Sequence, residues 1–149
     1  MRAVVQRVAQ ARVEVEGEVV GRIGLGLLVF LGAGKDDTEA AVPGMAQKLE
    51  TLRIFEDASG KMGLSVRDVG GALLMVPQFT LYGDVRKGRR PSFDAAAPPE
   101  RANALFEQLC ADLSARGLPV QTGRFRATMQ VHAEVAGPVT ILIDSDRAF

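Results

Sequence analysis

The chain has one cysteine and one histidine in 149 residues. A lone Cys110 excludes an intramolecular disulfide and fits a reducing compartment. It stands beside an apolar helical stripe and reads as a packed small residue rather than a reactive thiolate. One Cys and one His fall short of the three or four ligands of a zinc site, so no metal and no cofactor is expected. A Ser-His-Asp arrangement needs a base beside its nucleophile, and His132 is the only imidazole on offer. In Met129-Gln130-Val131-His132-Ala133-Glu134 the apolar positions alternate, which puts His132 on the polar face of a strand. Long apolar runs are missing too. The longest, Leu25 to Ala33, is interrupted by glycines and is far too short to span a bilayer. No basic start followed by an apolar stretch marks the region after Met1. Charge of one sign is also absent: 18 basic residues face 18 acidic ones. No global field draws in a polyanion, so any nucleic-acid contact must be a local patch. The expectation is a cytoplasmic protein with no membrane partner.

What is present suits one domain over residues 1–149, with 47% hydrophobic residues to build a core. Ala3 to Val8 is β-branched and reads as an opening strand. Val13 and Val15 alternate with charge, Glu16-Gly17-Glu18 turns, and Val19-Val20 returns as a hairpin with one wet face. Leu27 to Leu31 and Ala72 to Val76 read as buried strands. Asp36-Asp37-Thr38 can cap a helix whose Val42, Met45, Leu49 and Leu52 share a face, or that helix starts at Pro43. Arg53-Ile54-Phe55 reads as a short strand, followed by a turn at Asp57 to Gly60. Pro98-Pro99-Glu100 opens a second helix carrying Leu105, Phe106, Leu109 and Leu113, which Gly117 can end. Thr128 to Val135 and Val139 to Ile143 read as two closing strands joined by a turn at Gly137-Pro138. The fold class is α+β, with a mainly antiparallel sheet and two principal helices.

Three features carry possible chemistry. In Val76-Pro77-Gln78-Phe79-Thr80-Leu81-Tyr82 a buried strand runs into a proline. Breaking a strand frees backbone N–H groups, and free N–H groups aimed into a pocket can hold an ester's oxyanion. A strand end with a satisfied threonine explains the same residues. Gly137-Pro138 contains the bond type that realistically adopts cis, though on spacing alone an ordinary hairpin turn is the better account of it. Arg86-Lys87-Gly88-Arg89-Arg90 places four cations in five residues, either as a solvated loop or as a phosphate contact.

Taken in order along the chain, these segments resemble the D-aminoacyl-tRNA deacylases. The resemblance runs through Met1 to Val8, Leu52-Arg53-Ile54-Phe55-Glu56-Asp57, Gly60-Lys61-Met62, Leu64-Ser65-Val66 and Gln78 to Asp84. It continues through Lys87 to Phe93, Thr122-Gly123-Arg124-Phe125, Met129 and Gly137-Pro138-Val139-Thr140. It implies a compact barrel-like domain working as a homodimer, with the active site at the subunit interface and the acceptor end of aminoacylated tRNA as partner. It implies hydrolysis of the ester between a D-amino acid and the terminal ribose, with some cleavage of glycyl-tRNA. Gln78, Phe79 and Thr80 would form the catalytic segment. The missing base disfavours Thr80 as nucleophile and favours a backbone oxyanion site assisted by the ribose hydroxyl. Gly137 and Pro138, reaching in from the partner subunit, would refuse an L side chain. Phe125 and Met129 would shape the substrate site, Arg7 would clamp the Gly-Pro loop, and Lys87, Arg89 and Arg90 would hold tRNA phosphates.

The chain departs from the family at Pro77, where serine is usual, at Val135-Ala136, where Asn-Asp is more frequent, and at Gly63, where asparagine is usual. Pro77 lacks a hydroxyl and a backbone donor. It keeps open a sister deacylase of relaxed chirality acting on L-alanyl-tRNA. A non-catalytic tRNA-binding protein is the third reading.

Overall fold

A long first strand organises the molecule. The computed structural model describes residues 1–149, and β1 occupies Arg2–Val15 without a break. The expected opening strand and hairpin arm are therefore one element. The turn after it places Glu16 at φ 51° and Gly17 at φ 80°. Two positive φ values are what a two-residue turn of matching twist requires. The hairpin returns as β2 (Glu18–Ile23), paired with residues 11–15 of β1. Next, β3 (Gly26–Gly32) pairs with residues 2–8 of the same edge.

Two helical crossovers follow. Helix α1 (Ala41–Thr51) leads through a small ribbon, β4 (Phe55–Glu56) and β5 (Met62–Leu64), to β6 (Ala72–Pro77). Helix α2 (Pro99–Ala115) leads on to β7 (Val120–Thr122). Strand β6 lies parallel to both β3 and β7, because a helix between two neighbouring strands returns the chain to the same end of the sheet. The other ladders are antiparallel. Pro99 stands at the first helical position of α2, where its missing N–H costs nothing. Gly117, at φ 86°, closes the helix. The spacing of Leu105, Leu109 and Leu113 buries all three completely, and truncating any one to alanine would cost about 2–5 kcal/mol.

The sheet curls until it nearly closes. A Cβ at Gly21 of β2 would lie 2.6 Å from the Thr122 carbonyl oxygen of β7. One apolar cluster fills the side covered by the helices, with Val5, Leu27, Val29, Leu73 and Met75 facing α1 and α2. A second, of Val8, Ala11, Val13, Ile23, Leu28, Leu74 and Val76, fills the other face.

Two expectations need correction. The chain's last long element is a single strand, β8 (Gln130–Asp144), and Gly137-Pro138 is not a hairpin turn. Both halves of β8 pair with β1, so no reversal occurs. Val8 faces Val135 while Gln6 faces Thr140, and the residues between bulge outward. Asp36-Asp37-Thr38 does not cap α1, which begins at Ala41 with no side-chain cap. The Asp37 carboxylate is engaged elsewhere: it accepts from the Met1 α-ammonium at 2.7 Å and the Gly34 N–H at 2.6 Å. The glycine at position 63 has a local reason, since a Cβ there would sit 2.5 Å from Asp57 Oδ2.

Candidate active site

Strands β3 and β6 are parallel, so their C-terminal ends open at the same place. That is where ligands bind in α/β sheets. A cavity of about 610 Å³ lies there. Leu31, Gly32 and Ala33 contribute from the end of β3, and Pro77 from the end of β6. The N-terminal part of α2 adds Pro99, Ala102 and Phe106. The loop after β7 adds Phe125, Arg126, Ala127 and Met129. Most of the lining is apolar, and Arg126 is its only charged side chain. Gly32 is required by the close approach, because a Cβ there would lie 2.8 Å from the Gln78 carbonyl oxygen.

Gln78, Phe79 and Thr80 all border this cavity. Pro77 ends β6 beyond the last residue of β7, Thr122, which pairs with Met75. The ring stands where the β6–β7 ladder stops, just after the Gly123 N–H reaches the Met75 carbonyl at 2.8 Å. The Gln78 N–H still reaches the Leu31 carbonyl at 2.7 Å, and the chain then tightens into a 3-10 turn over Phe79–Tyr82. The first N–H groups of such a turn have no partner within it. Those of Phe79 and Thr80 find no acceptor within the turn, whereas Leu81 and Gly83 donate to Gln78 and Thr80. Two backbone donors that the turn leaves unused therefore sit at the rim of an apolar cavity.

The surrounding side chains define what chemistry is available. Gln78 Nε2 donates to Thr80 Oγ1. No histidine or carboxylate lines the cavity, so nothing there can take a proton from Thr80. His132 lies on another face with Gln10, Arg12 and Arg22, its Nε2 3.5 Å from Glu14 Oε2. Phe79 is 56% exposed and meets Phe93 edge-on, with centroids 5.0 Å apart. Met129 Sδ accepts the Arg124 N–H at 3.4 Å, and a Cβ at Gly123 would sit 2.7 Å from that sulfur. Phe93, Phe106 and Arg126 are cavity residues that the sequence did not single out as such. Phe106 was legible only as part of a helical stripe.

The other named residues lie apart from this cavity. Gly137 and Pro138 do not line it. They sit exposed on the β8 bulge, and their peptide bond is cis. Arg7 stands opposite the bulge on β1. Its Nε donates to the Ala136 carbonyl at 3.0 Å and its Nη1 to the Ile54 carbonyl at 2.8 Å. The loop is tied down through a main-chain oxygen, so alanine at 136 leaves this bond intact. Lys87, Arg89 and Arg90 are exposed in a loop whose ends pair at Asp84 and Ser92, and none of the three forms an ion pair. Arg86 does: it grips Asp84 at 2.6 Å, and these bonds hold the Asp84 carboxyl at about 2. Cys110 is half-buried in α2, and burial, helped by Glu107, pushes its thiol up to about 12.

Comparison with known proteins agrees with this architecture. The sequence model of the D-Tyr-tRNA(Tyr) deacylase family matches residues 4–144, and the chain belongs to that family. It is 62% identical to the D-aminoacyl-tRNA deacylase of Desulfitobacterium hafniense, with all of both chains covered. It is 58% identical to the one from Thermotoga petrophila, again over the whole of both. Among solved structures, a protein described as a c-Myc DNA unwinding element binding protein superposes with a TM-score of 0.91 at 42% identity, covering 97% of this chain and 98% of that one. A probable eukaryotic D-amino acid tRNA deacylase superposes with a TM-score of 0.79 at 24% identity, over 95% and 97%, and shares the fold.

Proposed function

We propose that this protein is a D-aminoacyl-tRNA deacylase, which hydrolyses the ester joining a D-amino acid to the terminal ribose of tRNA. The observation that carries the reading is the pair of N–H groups at Phe79 and Thr80 that the turn leaves unused beside an apolar cavity. Water adds to the ester carbonyl, and the resulting oxyanion is held by these two donors. Collapse of the tetrahedral intermediate breaks the bond to the ribose oxygen, which leaves with a proton as the free hydroxyl of tRNA. With no base in the cavity, the neighbouring ribose hydroxyl is the group that relays the proton. Gln78 and Thr80 support the turn, and Phe125 and Met129 wall the substrate.

Selectivity is assigned to Gly137 and Pro138 of a partner subunit in a homodimer. Their exposure on a clamped bulge, away from their own chain's cavity, supports a reach into a second copy. An L side chain would collide with them, a D side chain would point away, and glycine would be cut to some extent. Lys87, Arg89 and Arg90 would meet acceptor-end phosphates. The enzyme would act in the cytoplasm as one domain over residues 1–149 and use no cofactor.

The test is a panel of D-Tyr-tRNA, L-Tyr-tRNA, Gly-tRNA and L-Ala-tRNA. Release from D-Tyr-tRNA and Gly-tRNA alone is the expected result. Release from L-Ala-tRNA would favour the sister activity that Pro77, a wall of the cavity, keeps open. Release from none would leave a binding protein.

A further inference from the structure

The 3-10 turn that carries these donors has little holding its outer side, where Phe79 and Thr80 are exposed. Oxyanion donors are useful only at about 2.7–3.1 Å from the developing charge, and a misplacement of about 1 Å can cost about a hundredfold in rate. Something must hold the turn from behind. The structure shows a buried polar cluster in that position.

Tyr82, the last residue of the turn, is 8% exposed. Its ring packs against Gly34, just past β3: a Cβ there would meet Cε1, Cζ and the hydroxyl oxygen at 2.8–2.9 Å. Its hydroxyl donates to Asp37 Oδ2 at 3.2 Å. Burial, with the nearby charges of Asp37 and Asp144, raises the pKa of this hydroxyl and keeps it a donor. Asp37 is itself fixed by the Gly34 N–H and the Met1 α-ammonium. Arg2 covers the Tyr82 ring, its guanidinium carbon 4.5 Å from the centroid, a favourable cation–π placement. The same guanidinium donates to the Leu81 carbonyl at 3.2 Å and is anchored by Asp144 at 3.0 Å. The turn is thus gripped at two consecutive residues, by the backbone at Leu81 and by the side chain at Tyr82. Neither Arg2, Asp37 nor Tyr82 lines the cavity.

We infer that Arg2, Asp37 and Tyr82 are positioning residues, which aim the Phe79 and Thr80 N–H groups at the oxyanion without touching substrate. The inference rests on the deacylase reading for its kinetic consequence only. Tyr82→Phe removes the hydroxyl and keeps the ring. Arg2→Met keeps the stem and removes the charge and donor. Three readouts separate aim from general damage: kcat on D-Tyr-tRNA, affinity for a non-hydrolysable amide analogue of 3′-D-tyrosyl-adenosine, and affinity for its phosphonate analogue.

Each substitution should lower kcat by about tenfold and weaken the phosphonate by a similar factor. The amide analogue should stay within about twofold, because ground-state contacts are untouched. The backbone amide resonances of Phe79 and Thr80 should shift in both variants while that of Leu109, in the helix core, stays in place. Unchanged amide resonances, or equal weakening of both analogues, would overturn the inference. If the unsubstituted protein releases nothing from D-Tyr-tRNA, the deacylase reading fails. The amide resonances then still decide whether these residues hold the turn.

Discussion

Arg7 and Gly137 are in direct apposition: a Cβ built on Gly137 would lie 2.9 Å from the Arg7 Nη2 atom. The strand arginine fills the space beneath the β8 bulge, and only a glycine leaves room for it. Gly137 also has φ 124°, a conformation that L side chains rarely adopt. Two independent constraints, space and backbone angle, fall on one position.

Gly137→Ala should therefore displace the bulge or expel Arg7. The expected result is a loss of about tenfold or more in kcat/KM with the rest of the fold intact. Arg7→Met should act similarly by leaving the Ala136 and Ile54 carbonyls without their donor. Deacylation kinetics beside circular dichroism and thermal midpoints will check this. Normal kinetics in Gly137→Ala would remove the bulge from the active machinery.

Thr80 has no base within its cavity, so its hydroxyl is not expected to attack the ester. Thr80→Ala should keep activity within about tenfold of the starting enzyme. A substrate whose terminal ribose lacks the vicinal hydroxyl should be cut poorly by both. Complete loss of activity in a folded Thr80→Ala protein would restore the nucleophile role.

The loop cations divide into one that is engaged and three that are free. Neutralising Lys87 and Arg89 together should raise KM and flatten its salt dependence by about one unit of slope per cation removed. Asp84→Asn should release Arg86 and change both quantities the other way. The pH behaviour of the Arg86 pair follows from the sign of the Asp84 shift. The carboxyl is held at about 2 against about 3.9 in an unfolded chain. The pair is therefore intact above pH about 4 and is lost only as pH falls through about 2. Across the range where tRNA esters are assayed, Arg86 stays occupied.

Cys110 should resist alkylation in the native protein. A thiol pushed up to about 12 leaves about one thiolate in ten thousand at pH about 8. Iodoacetamide labelling followed by mass spectrometry should show slow modification in buffer and rapid modification in denaturant, where the thiol returns to about 8.5. Fast labelling of the folded protein would show that α2 opens.

The parts of the fold that were legible in the chain are those written in local periodicity. Leu105, Leu109 and Leu113 recur at helical spacing, and they are buried in α2. Leu27 to Leu31 forms a continuous apolar run and became a central strand. β5 and β7 are not legible, because their three residues each carry no pattern that separates them from a loop. Gly137-Pro138 reads as a turn because the dipeptide is a turn signal by itself. Only the pairing of both flanks with β1 shows it to be a bulge. Asp37 reads as a cap because acidic residues before a helix commonly are. Beside the nearby Gly34 N–H, its buried partners Met1 and Tyr82 lie far away along the chain, where no local rule reaches.

The amino-acid sequence determined the class of fold, the break at Pro77 and the composition that leaves no base for Thr80. Those follow from residue type and short-range spacing, which act before any long-range contact forms. Tertiary structure decided where that broken strand end sits. The N–H groups of Phe79 and Thr80 border a cavity only because two parallel strands end together and α2 lies alongside. Arg7 meets Gly137, and Asp37 meets Tyr82, only because the curled sheet brings distant residues together. Such pairings depend on register and curvature, which arise from the sum of contacts over the whole sheet and from no single segment of it.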